Sequence, residues 1–199
     1  MTKRVRFFND APLSVSFILI CMAVLFAARF FPAEGIAAFF CAPTKQNGVS
    51  PFDWKRPLDY LRLFIHVFGH RDWTHFTAAA AFILLLGPDA EERYGSAFLL
   101  FMTAVCAFST GVLNTVFFGT TLCGADGIVF LLLVLGTFAN VRAQTIALTH
   151  VLLFVLYLAG CLFVVIDTAH ASPLIQIAGG LCASVFGFAA QPVKRTRKN

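Results

Sequence analysis

The sequence predicts an all-α polytopic membrane protein, a bundle of six membrane-embedded helices with a long interfacial first loop. Three observations predict it. Of 199 residues, 59% are hydrophobic and 13% are charged, where soluble globular domains average about 25% charged residues. Apolar runs bounded by charges and turns recur along the chain, most of them near the ~20 residues that cross roughly 30 Å of hydrocarbon. Basic residues gather at both ends: Lys3, Arg4 and Arg6 precede the first run, and Lys194, Arg195, Arg197 and Lys198 follow the last.

The first run, Leu13 to Phe31, is long for the apolar core of a secretory signal, and no small-residue cleavage site follows it, so it is expected to be a retained helix. The connection from Pro32 to Trp73 carries four prolines, two tryptophans and charges of both signs. Connections beyond about 12–15 residues are usually functional or locally structured. Trp54 to His70 mixes aromatic and charged residues as an interfacial segment does, and it is expected to lie along the outer membrane face. Thr74 to Leu86, Ser96 to Phe118, Ala125 to Asn140, Thr145 to Ile166 and Pro173 to Ala190 complete the six segments.

An even number of spans puts both termini on one side, and both are basic, so both are expected in the cytoplasm, with the Arg93 and Arg142 turns. The organisation expected is a cytoplasmic tail over 1–12, a membrane domain over 13–190 and a basic cytoplasmic tail over 191–199, in an inner or plasma membrane. The net charge of +5 follows from this orientation and does not call for nucleic acid. The partner expected from composition is the lipid bilayer. Cys21, Cys41, Cys106, Cys123, Cys161 and Cys182 are scattered, without CxxC or metal-ligand spacing, and read as buried soft hydrophobes. No cofactor and no metal are expected.

The segment from Ala125 to Asn140 is too short to span alone and opens on an acid, in Gly124-Ala125-Asp126-Gly127. That helix starts inside the membrane, where irregular backbone survives only in a cavity or buried in protein. An ionisable residue at such depth is a functional-site hypothesis by default. Asp126 is also explained as a helix cap or first-turn acid favoured by the helix dipole, and the two roles are compatible. Buried polar groups must be paired, so Asp126 is expected to accept hydrogen bonds from His75 and from the Gln176 amide. His66, His70 and His75 suggest metal ligands by spacing, but no acidic or cysteine ligand stands beside them. His150, alone on an apolar helix, reads as an interhelical donor, and Asp167 and His170 read as a solvated turn.

Four motifs carry a family resemblance. They are Leu61-Arg62-Leu63-Phe64-Ile65-His66-Val67-Phe68-Gly69-His70-Arg71-Asp72-Trp73-Thr74-His75, Gly87-Pro88-Asp89-Ala90-Glu91-Glu92-Arg93-Tyr94-Gly95-Ser96, Gly124-Ala125-Asp126-Gly127 and Gln176-Ile177-Ala178-Gly179. In order and spacing they resemble the rhomboid intramembrane serine proteases: the spaced histidines of the second helix, the Glu-x-Arg turn, the Gly-x-Ser-Gly nucleophile motif and the catalytic histidine followed by glycine. The resemblance runs from about Arg62 to Gly187.

The departures fall on the chemistry. The resemblance implies a serine at 126 and a histidine at 176, and the chain has Asp126 and Gln176. His75 matches the histidine that supports the oxyanion, but its companion asparagine is Ala79, the aromatic beneath the catalytic histidine is Phe130, and the tryptophan before Arg62 is Leu61. Arg62, Glu91, Arg93, Gly95, Gly127 and Gly179 match positions that shape loops or allow close helix approach, with Glu91 and Arg93 expected as an ion pair or turn clamp. Gly179, Ala183 and Gly187, extended by Gly180 and Ser184, form a small-residue stripe.

This pattern implies a pseudoprotease that binds, retains or remodels client membrane proteins, whose helices enter near the second and fifth helices in the family it resembles. The alternatives are an active intramembrane serine endopeptidase with a non-standard site, or a small transporter or channel with Asp126 as ion site. Cys123 as a substitute nucleophile lacks a base at position 176.

Overall fold

The computed structural model describes residues 11–30, 39–44, 50–142, 147–168 and 172–189. Its helices are α1 (Pro12–Phe30), α2 (Pro57–Ile65) with a 3-10 turn (His66–Phe68), α3 (Trp73–Tyr94), α4 (Ser96–Leu113) ending in a π turn (Asn114–Phe118), α5 (Asp126–Arg142), α6 (Leu148–Thr168) and α7 (Ser172–Ala189). No strand occurs among the described residues, so the fold is the all-α membrane bundle that the composition predicts. Four described helices, α1, α4 with its π turn, α6 and α7, are long and apolar enough to cross a membrane. The basic tails lie outside the described residues.

α5 is the centre of the bundle. It has 17 residues, about 26 Å at 1.5 Å per residue, and every position from 127 to 135 is buried. A helix that is apolar all round has to be surrounded, and α5 touches α3, α4, α6 and α7. α7 packs along both α4 and α5, and its small residues explain the approach. A Cβ added to Gly179 would stand 2.1 Å from Thr110 Cγ2, one on Gly180 3.0 Å from the Gly127 carbonyl oxygen, and one on Gly187 2.3 Å from a Leu135 methyl. Any larger side chain at these positions would push α7 away.

Several boundaries differ from the sequence expectation, Arg142 among them, which ends α5, and two of the differences bear on the packing. The second membrane helix was expected to stop at Leu86, before Gly87-Pro88, but α3 runs through Pro88 to Tyr94. Glu91 explains what that extension is for. Its carboxylate accepts hydrogen bonds from the Leu13 N–H at 3.0 Å, the Ser14 N–H and hydroxyl at 2.7 Å each, and the Ser96 hydroxyl at 2.7 Å. It therefore caps the start of α1, where free N–H groups and the helix dipole favour an anion. Arg93 takes no part in this: its guanidinium bonds Asp89 at 2.9 Å, one turn back, so the expected Glu91–Arg93 pair is not formed. Gly95 ends α3 with φ +79° and donates its N–H to the Glu91 carbonyl at 2.8 Å. The second difference is at Asp167, which belongs to the last turn of α6 rather than to the following connection; His170 lies outside the described residues.

Arg62 fastens the first connection. Buried on α2, it pairs with buried Asp59 at 3.0 Å and donates to the Cys41 carbonyl at 3.3 Å and the Ser50 carbonyl at 3.4 Å. A buried guanidinium requires such partners.

Candidate functional site

The connection from α4 to α5 delivers Asp126 to the site. Gly124 has φ +119°, a region that glycine alone adopts without strain, and its N–H donates to the His66 carbonyl at 3.1 Å. An added Cβ there would lie 2.5 Å from His75 Cε1. The turn therefore presses directly on the histidine ring, and α5 begins two residues later.

His75 comes from the first turn of α3. Asp72 caps that helix, its Oδ1 accepting the His75 N–H at 2.8 Å. This bond holds the exposed Asp72 carboxyl below its ordinary range. His75 Nε2 then meets Asp126 Oδ2 at 2.9 Å, both side chains partly buried. An ionised carboxylate only accepts, so Nε2 carries the proton. Nδ1 is buried and has no hydrogen-bond partner among the described residues.

The Asp126 main chain is held from the other side. The Tyr157 hydroxyl, on α6, donates to the Asp126 carbonyl at 2.9 Å. The Tyr157 ring lies 6.0 Å from Phe130 of α5 and 6.0 Å, edge-on, from Phe82 of α3. Three helices thus meet at one residue. Phe130 is buried, and a Cβ on Gly180 would touch its ring at 2.8 Å.

Gln176 does not join the expected cluster. It is buried in α7, and its main-chain carbonyl lies 3.5 Å from where a Cβ on Gly127 would stand, but among the described residues its amide makes no hydrogen bond to Asp126. The Asp126 carboxylate faces α3, where the His75 ring nitrogen is its partner at 2.9 Å. Ala79, one turn along α3 from His75, is buried and supplies no polar group. Positions 126, 176 and 79 therefore offer a carboxylate already bonded, a carboxamide and a methyl.

The other histidines have separate partners. His66 is buried, with Nε2 3.1 Å from the Thr110 hydroxyl. That hydroxyl gives its hydrogen to the Cys106 or Ala107 carbonyl, each 2.9 Å away, so His66 Nε2–H is the donor. The His70 and His75 ring centroids are 5.3 Å apart. Among the described residues no three His, Cys, Asp or Glu side chains converge as metal ligands would. His150 reaches from α6 to the Leu133 carbonyl of α5 at 3.3 Å, the interhelical role expected of it.

Sequence reasoning missed Tyr157 and Thr110. The signal for Tyr157 was present, a single phenol in the middle of an apolar run.

The family model for the Rhomboid domain matches residues 57–197, from α2 through α7, and so includes His75, Asp126 and Gln176. Among curated proteins, none matches the chain significantly.

Proposed function

The chain belongs to the rhomboid family, and on that premise we propose that it is a pseudoprotease, a membrane protein that holds transmembrane segments of client proteins without cutting them. The observation that carries this reading is the carboxylate of Asp126, at the nucleophile position and bonded to His75 at 2.9 Å. Amide cleavage by this fold needs an alcohol that loses its proton to a base and a base that returns it to the leaving amine. Attack by a carboxylate would produce a high-energy anhydride, and the Gln176 amide has no useful proton affinity. Loss of one member of such a unit lowers rates about 10⁴- to 10⁶-fold in soluble serine proteases. Both members are replaced here.

Client binding is supported by the loose attachment of α6. No described residue of α6 is buried, and its helix neighbours in extended contact are α5 and α7. Toward α3 the bundle closes through the Phe82–Tyr157 ring contact. Val155 and Leu156 on α6 and Leu84 and Leu85 on α3 are exposed apolar side chains, suited to an apolar helix arriving from the bilayer. The membrane domain is proposed to run over 13–190, with both termini cytoplasmic in an inner or plasma membrane.

Photocrosslinkers placed at Phe82 and Val155 in native membranes test the proposal. Capture of single-pass or multi-pass membrane proteins, with no site-mapped fluorophosphonate labelling, is expected. Cutting of a reconstituted single-pass peptide, abolished by a substitution at Asp126, His75 or Cys123, would overturn it. Capture of lipid alone would remove the client.

A further inference from the structure

The first connection is stitched to the turn that carries Asp126. The Ala42 N–H donates to the Leu122 carbonyl at 2.9 Å, the Thr44 hydroxyl donates to the Gly119 carbonyl, and the Thr115 hydroxyl reaches the Pro43 carbonyl at 3.4 Å. From Ala42 to Thr44 the backbone partners step back from Leu122 to Gly119, so the two stretches run in opposite directions. The register that pairs Ala42 with Leu122 sets Cys41 opposite Cys123. A disulfide joins residues whose Cα atoms are roughly 4.4–6.8 Å apart, and the Ala42–Leu122 bond holds the two neighbouring residues at one junction.

The side chains agree with the backbone. The Cys41 and Cys123 side chains adjoin each other, Cys41 buried and Cys123 partly exposed. The other cysteines, Cys21, Cys106, Cys161 and Cys182, lie within α1, α4, α6 and α7. We propose that Cys41 and Cys123 are a reactive dithiol that closes into a disulfide, clamping the first connection to the Thr120–Gly124 turn beside the His75–Asp126 pair.

The two sulfurs have unequal roles. The Cys41 thiol beside it pulls the Cys123 thiol down to about 7, while Cys41 is pushed up by its neighbour and by burial. A thiolate is the attacking species in exchange. Cys123 attacks one sulfur of an external disulfide, from a small thiol or an oxidised dithiol protein, forming a mixed disulfide and releasing one thiol. Cys41 then gives up its proton to a departing thiolate, and its sulfur attacks Cys123 Sγ, releasing the second thiol. Two cysteine thiols and one external disulfide become one internal disulfide and two external thiols. With both termini cytoplasmic, the pair faces the outer side, where disulfides persist.

The full-length protein in native membranes is treated with oxidised glutathione, alkylated, digested without reductant and mapped by mass spectrometry. A Cys41–Cys123 linked peptide is expected, with maleimide labelling of Cys123 slowed at least about tenfold by oxidation and restored by reductant. In Cys41→Ser the same treatment should leave a glutathione adduct on Cys123. Because the wild-type peptide map needs no variant, misfolding of Cys41→Ser cannot mask the answer. A Cys123 that stays freely alkylated after oxidation, or that links to any other cysteine, overturns the proposal. Amide exchange at Thr120–Gly124 should slow in the oxidised form, and unchanged exchange despite the linked peptide overturns the clamp.

Discussion

α6 and α7 are consecutive apolar helices with opposite fates. α6 is the more hydrophobic of the two, yet none of its described residues is buried, while α7 buries Gly179, Gly180, Ala183, Ser184 and Gly187 between α4 and α5. In a bilayer the lipid tails are as apolar as leucine, so hydrophobicity gives no drive for helices to associate. Close backbone approach does, and the small residues of α7 allow it. The leucines, valines and phenylalanines of α6 suit lipid equally well. The tightly packed half of the molecule, α4, α5 and α7, carries Asp126 and Gln176, and α6 reaches the site through the Tyr157 hydroxyl and through the Phe154 and Tyr157 rings against Phe130.

The largest effect is expected from breaking the tight half. Gly179→Leu forces a side chain into Thr110 Cγ2, 2.1 Å from its Cβ, and toward the Thr110 N and Cys106 O main-chain atoms at 3.1 and 3.2 Å, which cannot yield. A loss of about 3 kcal/mol is expected, read by denaturant unfolding in detergent micelles. Unchanged stability would mean that the glycine stripe does not set the position of α7. Next in size is Asp126→Ala. It leaves the His75 Nε2–H without its carboxylate, and because both side chains are partly exposed the expected loss is about 1.5 kcal/mol. Asp126→Asn, which keeps an acceptor oxygen, should lose less. If the two variants melt together with the parent, the pair contributes nothing to holding α3 on α5.

The same contrast sorts what the sequence could reveal. Composition and charge gaps located the membrane helices, because a bilayer imposes length and apolarity on any span. The pairing of Asp126 with His75 was readable from the family motifs and from the rule that buried polar groups find partners. The absent Gln176 bond was not, since which of two donors a carboxylate turns to depends on side-chain direction. Proline hid the end of α3: its local rule stops a helix, and only the long-range bonds from Glu91 to Leu13 and Ser14 show why the helix continues. Cys41 and Cys123 read as isolated thiols because sequence spacing alone does not reveal which cysteines meet across a fold. The looseness of α6 was equally silent, as a lipid-facing and a packed apolar helix share one composition.

Smaller effects probe the loose half. Tyr157→Phe removes the donor to the Asp126 carbonyl, 2.9 Å away, and keeps the ring against Phe82 and Phe130. About 1 kcal/mol or less should be lost, since hydrogen bonds between membrane helices average below that. Its sharper readout is capture from Val155, which should rise as α6 loosens. A fall would make the hydroxyl a client contact instead.

The smallest effect carries the opposite sign. Gly160 lies within α6, and a Cβ added there would meet nothing within 4 Å. In a water-exposed helix, glycine to alanine gains about 0.5–1 kcal/mol by restricting the unfolded backbone. In a bilayer the separated helix keeps its hydrogen bonds, so Gly160→Ala should be neutral or stabilising by about 0.5 kcal/mol or less. Gly179→Ala, the same chemical change one helix later, should destabilise, because its methyl overlaps Thr110. Equal losses from the two alanines would place α6 in a packed interface, and the division between tightly packed α7 and loosely held α6 would collapse.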